Sequence, residues 1–144
     1  MPHVVVLYTP NLDARTDLTA LCRRLADALL TVTNEAGEQV FPTPGLRVLA
    51  YPAAHYALAD GGAAGRAAGG DGDYGFIYVN LRMGRGRSEA VQNEAGRVLE
   101  AATLEHLAPL LAVHPVGLTV QVDEGREVFD AKRGSLRPLF TKKG

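Results

Sequence analysis

The two halves of the chain carry the same succession of patterns: a strand, a helix and a second strand. An alignment that lays Val5 on Ile77 also lays the first amphipathic helix pattern on the second. It lays Gly45-Leu46-x-Val48 on Gly117-Leu118-x-Val120 as well. Because an internal repeat constrains the whole architecture and not only its local elements, we predict a tandem β-α-β repeat.

The repeat predicts an α+β fold in one domain over residues 1–144, with units at about 2–52 and 74–123. Parallel strands joined through a helix are connected in the right-handed sense. Two such units form one four-stranded sheet with two helices on one face. The other face is left uncovered, and this favours oligomerisation.

The elements follow from the spacing of apolar residues. They are strands at 1–8, 46–51, 74–82 and 116–122, a helix at about 14–33, and a second helix that Ser88 caps and Pro109 limits. Alternation in the second strand places Arg47, Leu49 and Tyr51 on one face. The glycine- and alanine-rich residues 60–73 predict a flexible linker loop. The tail, 132–140, predicts a small hairpin or an arm.

Composition excludes several kinds of function. A net charge of -1 provides no basic field for nucleic acid. No apolar run approaches the ~20 residues of a membrane span, and no signal peptide is visible. The single cysteine, Cys22, excludes an internal disulfide and a cysteine zinc site, and its place in the first helix predicts a core residue. The histidines do not have the spacing of metal ligands, so we expect no metal site and no cofactor. We also expect a cytoplasmic protein.

Pro2 stands at the start of the first strand, where its missing N–H costs little. If Met1 is removed, Pro2 carries a free secondary amine that can act as a general base. Apolar surroundings and nearby cations lower the pKa of such an amine. Many chains begin Met-Pro without a catalytic role, so the hypothesis depends on agreement with other residues. Tyr74, aligned with Pro2 in the second half, is internal, so each chain has one such amine.

Two arginines are candidate anion ligands. Arg87 lies in a glycine turn before a helix N-terminus, where free N–H groups favour an anion, and its planar fork suits a carboxylate. Arg47 follows Pro44-Gly45 in the second strand. The alternative interpretation is that both arginines are solvated residues on the protein surface. A phosphate site at 84–88 is disfavoured because the Gly-Lys-Ser/Thr ending is missing. A base beside two arginines suits proton transfer next to the carbonyl of an anionic substrate.

Several short motifs, in this order, resemble those of the 5-carboxymethyl-2-hydroxymuconate Δ-isomerases of the tautomerase superfamily. They are Pro2-His3, Pro44-Gly45-Leu46-Arg47, Ala59-Asp60-Gly61, Asp73-Tyr74-Gly75-Phe76 and Met83-Gly84-Arg85-Gly86-Arg87-Ser88. The resemblance extends from residue 2 to about residue 140. The chain departs from the family in a longer glycine–alanine stretch at 61–70 and in the segment 51–55.

The resemblance implies a cofactor-independent isomerase that forms a homotrimer, with active sites near subunit boundaries. It implies that Pro2 is the acid/base shuttle and that Arg87 and Arg47 bind substrate carboxylates. The implied reaction is the ketonisation of an unsaturated 2-hydroxy di- or tricarboxylate in aromatic catabolism. Two alternatives remain: the same fold acting on another unsaturated or halogenated acid, and a non-catalytic trimeric binding module.

Overall fold

The computed structural model describes residues 2–141. Its elements are β1 (His3–Tyr8), α1 (Leu18–Leu30), β2 (Arg47–Pro52), α2 (Ala63–Ala67), β3 (Gly75–Met83), α3 (Glu89–Val113) and β4 (Val116–Glu124), with short 3-10 turns at Pro10–Leu12, Thr43–Gly45 and Arg137–Phe140. No helix within residues 2–141 is long and apolar enough to cross a membrane.

The four strands form one sheet in the order β2-β1-β3-β4. β1 is parallel to β2, and β3 is parallel to β4. The two central strands, β1 and β3, are antiparallel. Each parallel pair is joined through a long helix, so the predicted tandem β-α-β fold with a four-stranded sheet is confirmed.

The core lies between one face of the sheet and the helices α1 and α3. Val4 and Val6 are buried on that face, as are Ile77 and Val79. Val5, which the sequence alignment lays on Ile77, lies on the opposite face. A shift of one residue exchanges the two faces of a strand, so the sequence alignment of the first strands is wrong.

Helix α1 is shorter than the predicted 14–33. It begins at Leu18 because the Asp17 carboxylate accepts a hydrogen bond from the Ala20 N–H at 2.9 Å, which is the geometry of an N-cap. The buried stripe includes Leu21 and Leu25. Cys22 is only half-buried, and burial raises the pKa of its thiol. This protected thiol has the character of a structural cysteine.

Helix α3 begins as predicted, with the Ser88 hydroxyl accepting a hydrogen bond from the Val91 N–H at 3.2 Å. The expectation that Pro109 limits the helix is wrong, because α3 continues to Val113. A proline leaves the carbonyl four residues earlier without a helical donor. Here Pro109 and Glu105 both lie on the exposed side of α3, where water can hydrate that carbonyl.

The segment 60–73 is not a structureless loop. It contains α2, and the Asp60 carboxylate accepts a hydrogen bond from the Ala64 N–H at 2.9 Å. The phenol oxygen of Tyr74 accepts the N–H of Gly65, also at 2.9 Å. These contacts attach the segment to the start of β3.

After β4 the chain continues as an extended arm, defined here as residues 126–141. It contains no strand, so of the two predicted forms, hairpin and arm, it takes the second. Its only regular element is the 3-10 turn Arg137–Phe140, which packs near Thr43–Gly45. The arm therefore runs from the β4 edge of the sheet to the side of β2.

Candidate active site

Pro2 is buried directly before β1. β1 is a central strand, with β2 on one side and β3 on the other. The following residue, His3, is part-buried and lies on the face opposite to the buried Val4. Pro2 therefore lies at the start of a central strand, and the alternation that places Val4 on the core side places Pro2 on that side too.

A row of polar side chains crosses the sheet beside Pro2. His3 is in register with Arg47 on one side and with Arg82 on the other, and residues paired across strands share a face. Nη1 of Arg47 lies 3.4 Å from Nε2 of His3. The pKa of His3 is lowered, first by burial and then by the charge of Arg47, with Arg82 contributing. The row concentrates positive charge at this end of the sheet.

Arg87 lies between β3 and α3 and packs against the core. Its guanidinium carbon is 5.1 Å from the centroid of the Phe41 ring. Nη1 donates a hydrogen bond to the Gly84 carbonyl at 3.3 Å, and the Arg87 carbonyl accepts one from Nε2 of Gln92 at 3.0 Å. Burial lowers the pKa of Arg87, although a guanidinium remains charged at any physiological pH. A partly desolvated, oriented cation of this kind is suited to a carboxylate ligand.

A cavity of about 520 Å³ opens beside Arg87 at the N-terminus of α3. Glu35, Gln39 and Ser88 also line it. The Ser88 hydroxyl donates a hydrogen bond to Oε1 of Glu35 at 3.1 Å. The helix terminus and the cation favour an anionic group in this cavity, and the Glu35 carboxylate on its wall opposes one.

The structure places the three predicted site residues on two sides of the sheet. Arg87 lies on the side of the helices, with the buried Phe41 beneath it. Arg47 lies on the uncovered side with His3. The cavity that Arg87 lines includes neither Pro2 nor Arg47. Within one chain the two arginines therefore do not share this cavity.

Three further residues act on the candidate site and were not found in the sequence. Phe41 supports Arg87, Gln92 binds its carbonyl, and Arg82 flanks His3. Arg82 follows from the strand register once β1 and β3 are known to be antiparallel. Phe41 is separated from Arg87 by β2, α2 and β3, and nothing in the local pattern signals their contact.

Comparison with known proteins gives matches along almost the whole chain. A family model described as 5-carboxymethyl-2-hydroxymuconate isomerase matches residues 2–140. A crystal structure of a 5-carboxymethyl-2-hydroxymuconate delta-isomerase is 62% identical, covers 100% of this chain and 95% of its own, and superimposes with a TM-score of 0.97. A 5-carboxymethyl-2-hydroxymuconate isomerase from Deinococcus radiodurans R1 is 30% identical over 98% of this chain and 95% of its own, with a TM-score of 0.77.

A curated relative, the 5-carboxymethyl-2-hydroxymuconate Delta-isomerase of Escherichia coli, is 25% identical over 140 residues, which are 97% of this chain and 99% of that protein. The family model and the relatives at 62% and 30% identity all carry the name of an isomerase, so the class of this protein is an isomerase. More specifically, the chain belongs to the 5-carboxymethyl-2-hydroxymuconate isomerase family.

Proposed function

We propose that this protein is a cofactor-independent isomerase that ketonises 5-carboxymethyl-2-hydroxymuconate or a closely related unsaturated 2-hydroxy acid. The observation that carries the proposal is the match, at 62% identity and over the full chain, to a structure named as that isomerase. The buried Pro2 and the oriented Arg87 support it, because they are the base and the anion ligand that such a reaction needs.

Pro2 is proposed as the acid/base group, after Met1 has been removed. An α-amine has an ordinary pKa of about 7.7–8.0. Pro2 is buried, and burial disfavours the ammonium form of an amine and so favours the neutral base. The neutral amine takes the proton of the enol hydroxyl. The electron pair moves through the double bonds, and the ammonium returns the proton to a distant carbon. The product is an isomer, so no redox partner is needed.

Arg87 and Arg47 are proposed to bind substrate carboxylates. A planar guanidinium binds a carboxylate through two parallel hydrogen bonds. An arginine near the enol oxygen also stabilises the negative charge that develops there. Because the two arginines lie on opposite sides of the sheet in one chain, they hold one substrate only if a second copy contributes to the pocket.

We further propose that the protein assembles as a homotrimer. On the uncovered face of the sheet, Leu7, Leu49 and Tyr51 are 42%, 47% and 48% exposed. Large side chains side by side on one face are typical of a surface that another subunit covers. A cytoplasmic location is also proposed, since the only cysteine is free in the structure.

The test is an ultraviolet assay of enol-to-keto conversion with 5-carboxymethyl-2-hydroxymuconate, after mass spectrometry has established removal of Met1. Pro2→Ala and Arg87→Ala are compared with Arg23→Ala, a matched control because Arg23 is exposed on α1 and pairs with Asp27. We expect a loss of at least about 100-fold in kcat/KM for the first two variants, and wild-type activity for the control.

Other outcomes separate the alternatives. Conversion of a different unsaturated or halogenated acid, with the same loss in both variants, supports the proline mechanism but overturns the substrate. A mature, folded trimer without activity on any of these acids indicates a binding module. Full activity in Pro2→Ala together with Arg87→Ala contradicts the proposed site.

A further inference from the structure

A groove of about 1060 Å³ runs between α3 and β4, and at one end its lining includes Gln92, which binds the Arg87 carbonyl. Its apolar wall includes Leu111, Leu118 and Val122, which are only partly buried against the core. Leu104, also in the lining, is 42% exposed. β4 is an edge strand, and no strand within residues 2–141 pairs with its outer side. Apolar side chains beside an unpaired strand edge are a surface for another chain.

The arm carries apolar side chains that no residue between 2 and 141 covers. Val128 is 103% and Phe129 is 86% exposed, and Leu136 and Leu139 are 56% and 77% exposed. The arm begins next to the end of β4, but its last turn packs near Thr43–Gly45 before β2. The arm therefore leads away from the groove of the same chain.

The two surfaces have opposite charge. Acidic side chains in the groove are Glu89, Glu100 and Glu124. The only basic one in its lining, Arg97, already forms an ion pair with Glu94 at 3.3 Å. Between residues 126 and 137 the arm has four basic and two acidic side chains. Complementary charge favours the encounter and fixes its orientation.

We propose that the groove between α3 and β4 binds the arm of a second copy of this chain. The inference rests on the self-association proposed above and adds which surfaces meet. The arm and the groove are different surface patches. Each copy therefore places its arm in the groove of one neighbour and binds the arm of another neighbour in its own groove. A contact between different patches is heterologous, and it closes into a ring when the rotation between copies allows. A cyclic trimer satisfies this condition with every arm and groove occupied.

Disulfide trapping tests this pairing. In a Cys22→Ala background, Leu104→Cys is combined with single cysteines scanned over arm residues 127–136, and the oxidised protein is separated without reductant. We expect intermolecular bands for one or a few neighbouring arm positions. Val113→Cys with the same scan is the matched control, because Val113 is 80% exposed on α3 but outside the groove lining.

A charge exchange gives a second measurement. Light scattering is expected to show a tenfold or larger rise in the dissociation constant for Glu100→Lys, and partial recovery when Lys132→Glu or Arg133→Glu is added. An oligomer that gives no Leu104 bands, or gives equal bands with Val113, overturns the pairing but leaves self-association in place. A protein that is monomeric at all concentrations overturns both the pairing and the self-association. The isomerase assay tests the proposed activity separately.

Discussion

The guanidinium carbon of Arg87 lies 5.1 Å from the centroid of the fully buried Phe41 ring. At this separation the ring face attracts the cation. The contact joins the segment before β2 to the turn between β3 and α3. The proposed carboxylate ligand is thus held by the core of the protein and not by the turn alone.

We predict that Phe41→Leu raises KM by about twofold to thirtyfold and changes kcat little, because a cation–π contact contributes about 0.5–2 kcal/mol. Steady-state kinetics with the preferred acid measures the effect. Ile77→Val is the control, since Ile77 is equally buried and lies on β3; it is expected to lower stability by about 0.5–1.5 kcal/mol without altering KM. An equal rise in KM for both variants would indicate general loosening of the core.

The N-caps of α1 and α3, Asp17 and Ser88, are predicted to stabilise the fold equally, but only Ser88 is predicted to affect activity. Ser88→Ala and Asp17→Ala each remove a side chain that accepts a helix N–H, and each is expected to cost about 0.5–2 kcal/mol of unfolding free energy. Only Ser88 lines the cavity beside Arg87. Denaturant unfolding should therefore show similar losses, while kcat/KM falls in Ser88→Ala alone. Equal kcat/KM in the two variants would indicate that the N-terminus of α3 is not part of the active site.

Much of this fold was predictable, because alternation and helical spacing act over a few residues. β2 places Arg47 on the face opposite to Val48, as its alternation predicts. The predictions from sequence are wrong where a contact between residues far apart in the chain determines the local structure. The Asp17 cap shortens α1, and Tyr74 stabilises the end of a glycine-rich segment that has little helix propensity of its own. The contact between Arg87 and Phe41 depends on packing across the core.

Tyr74→Phe is predicted to loosen residues 60–73 without unfolding the domain. The substitution keeps the ring but removes the oxygen that accepts the Gly65 N–H at 2.9 Å. Hydrogen exchange of the amides at 62–70 should accelerate, since local opening is governed by local contacts. The exchange of β1 and β3 amides is expected to stay as in the wild type. Tyr56→Phe, at an exposed tyrosine, is the control and should leave both regions unchanged.

Stability is predicted to fall on acidification in part because of His3. Its folded pKa lies below 6.5 through burial and nearby Arg47, so the unfolded chain takes up a proton first as the pH falls. The His3 contribution is therefore complete above about pH 6.5 and is lost as the pH falls through the folded pKa. Urea unfolding from pH 7.5 to 5 should show a shallower decline for His3→Gln than for His55→Gln, at an exposed position. Identical declines would contradict this.

The proposed mechanism requires that the amine of Pro2 moves the proton. The most direct measurement compares the mature protein with a form that keeps one additional residue before Pro2, verified by intact mass, in the ultraviolet ketonisation assay. The extension leaves the proline ring in the chain but converts the amine into an amide, which is not basic. We predict that kcat falls by at least about 100-fold, with unchanged unfolding and oligomeric state. Undiminished turnover by the extended form would contradict the account.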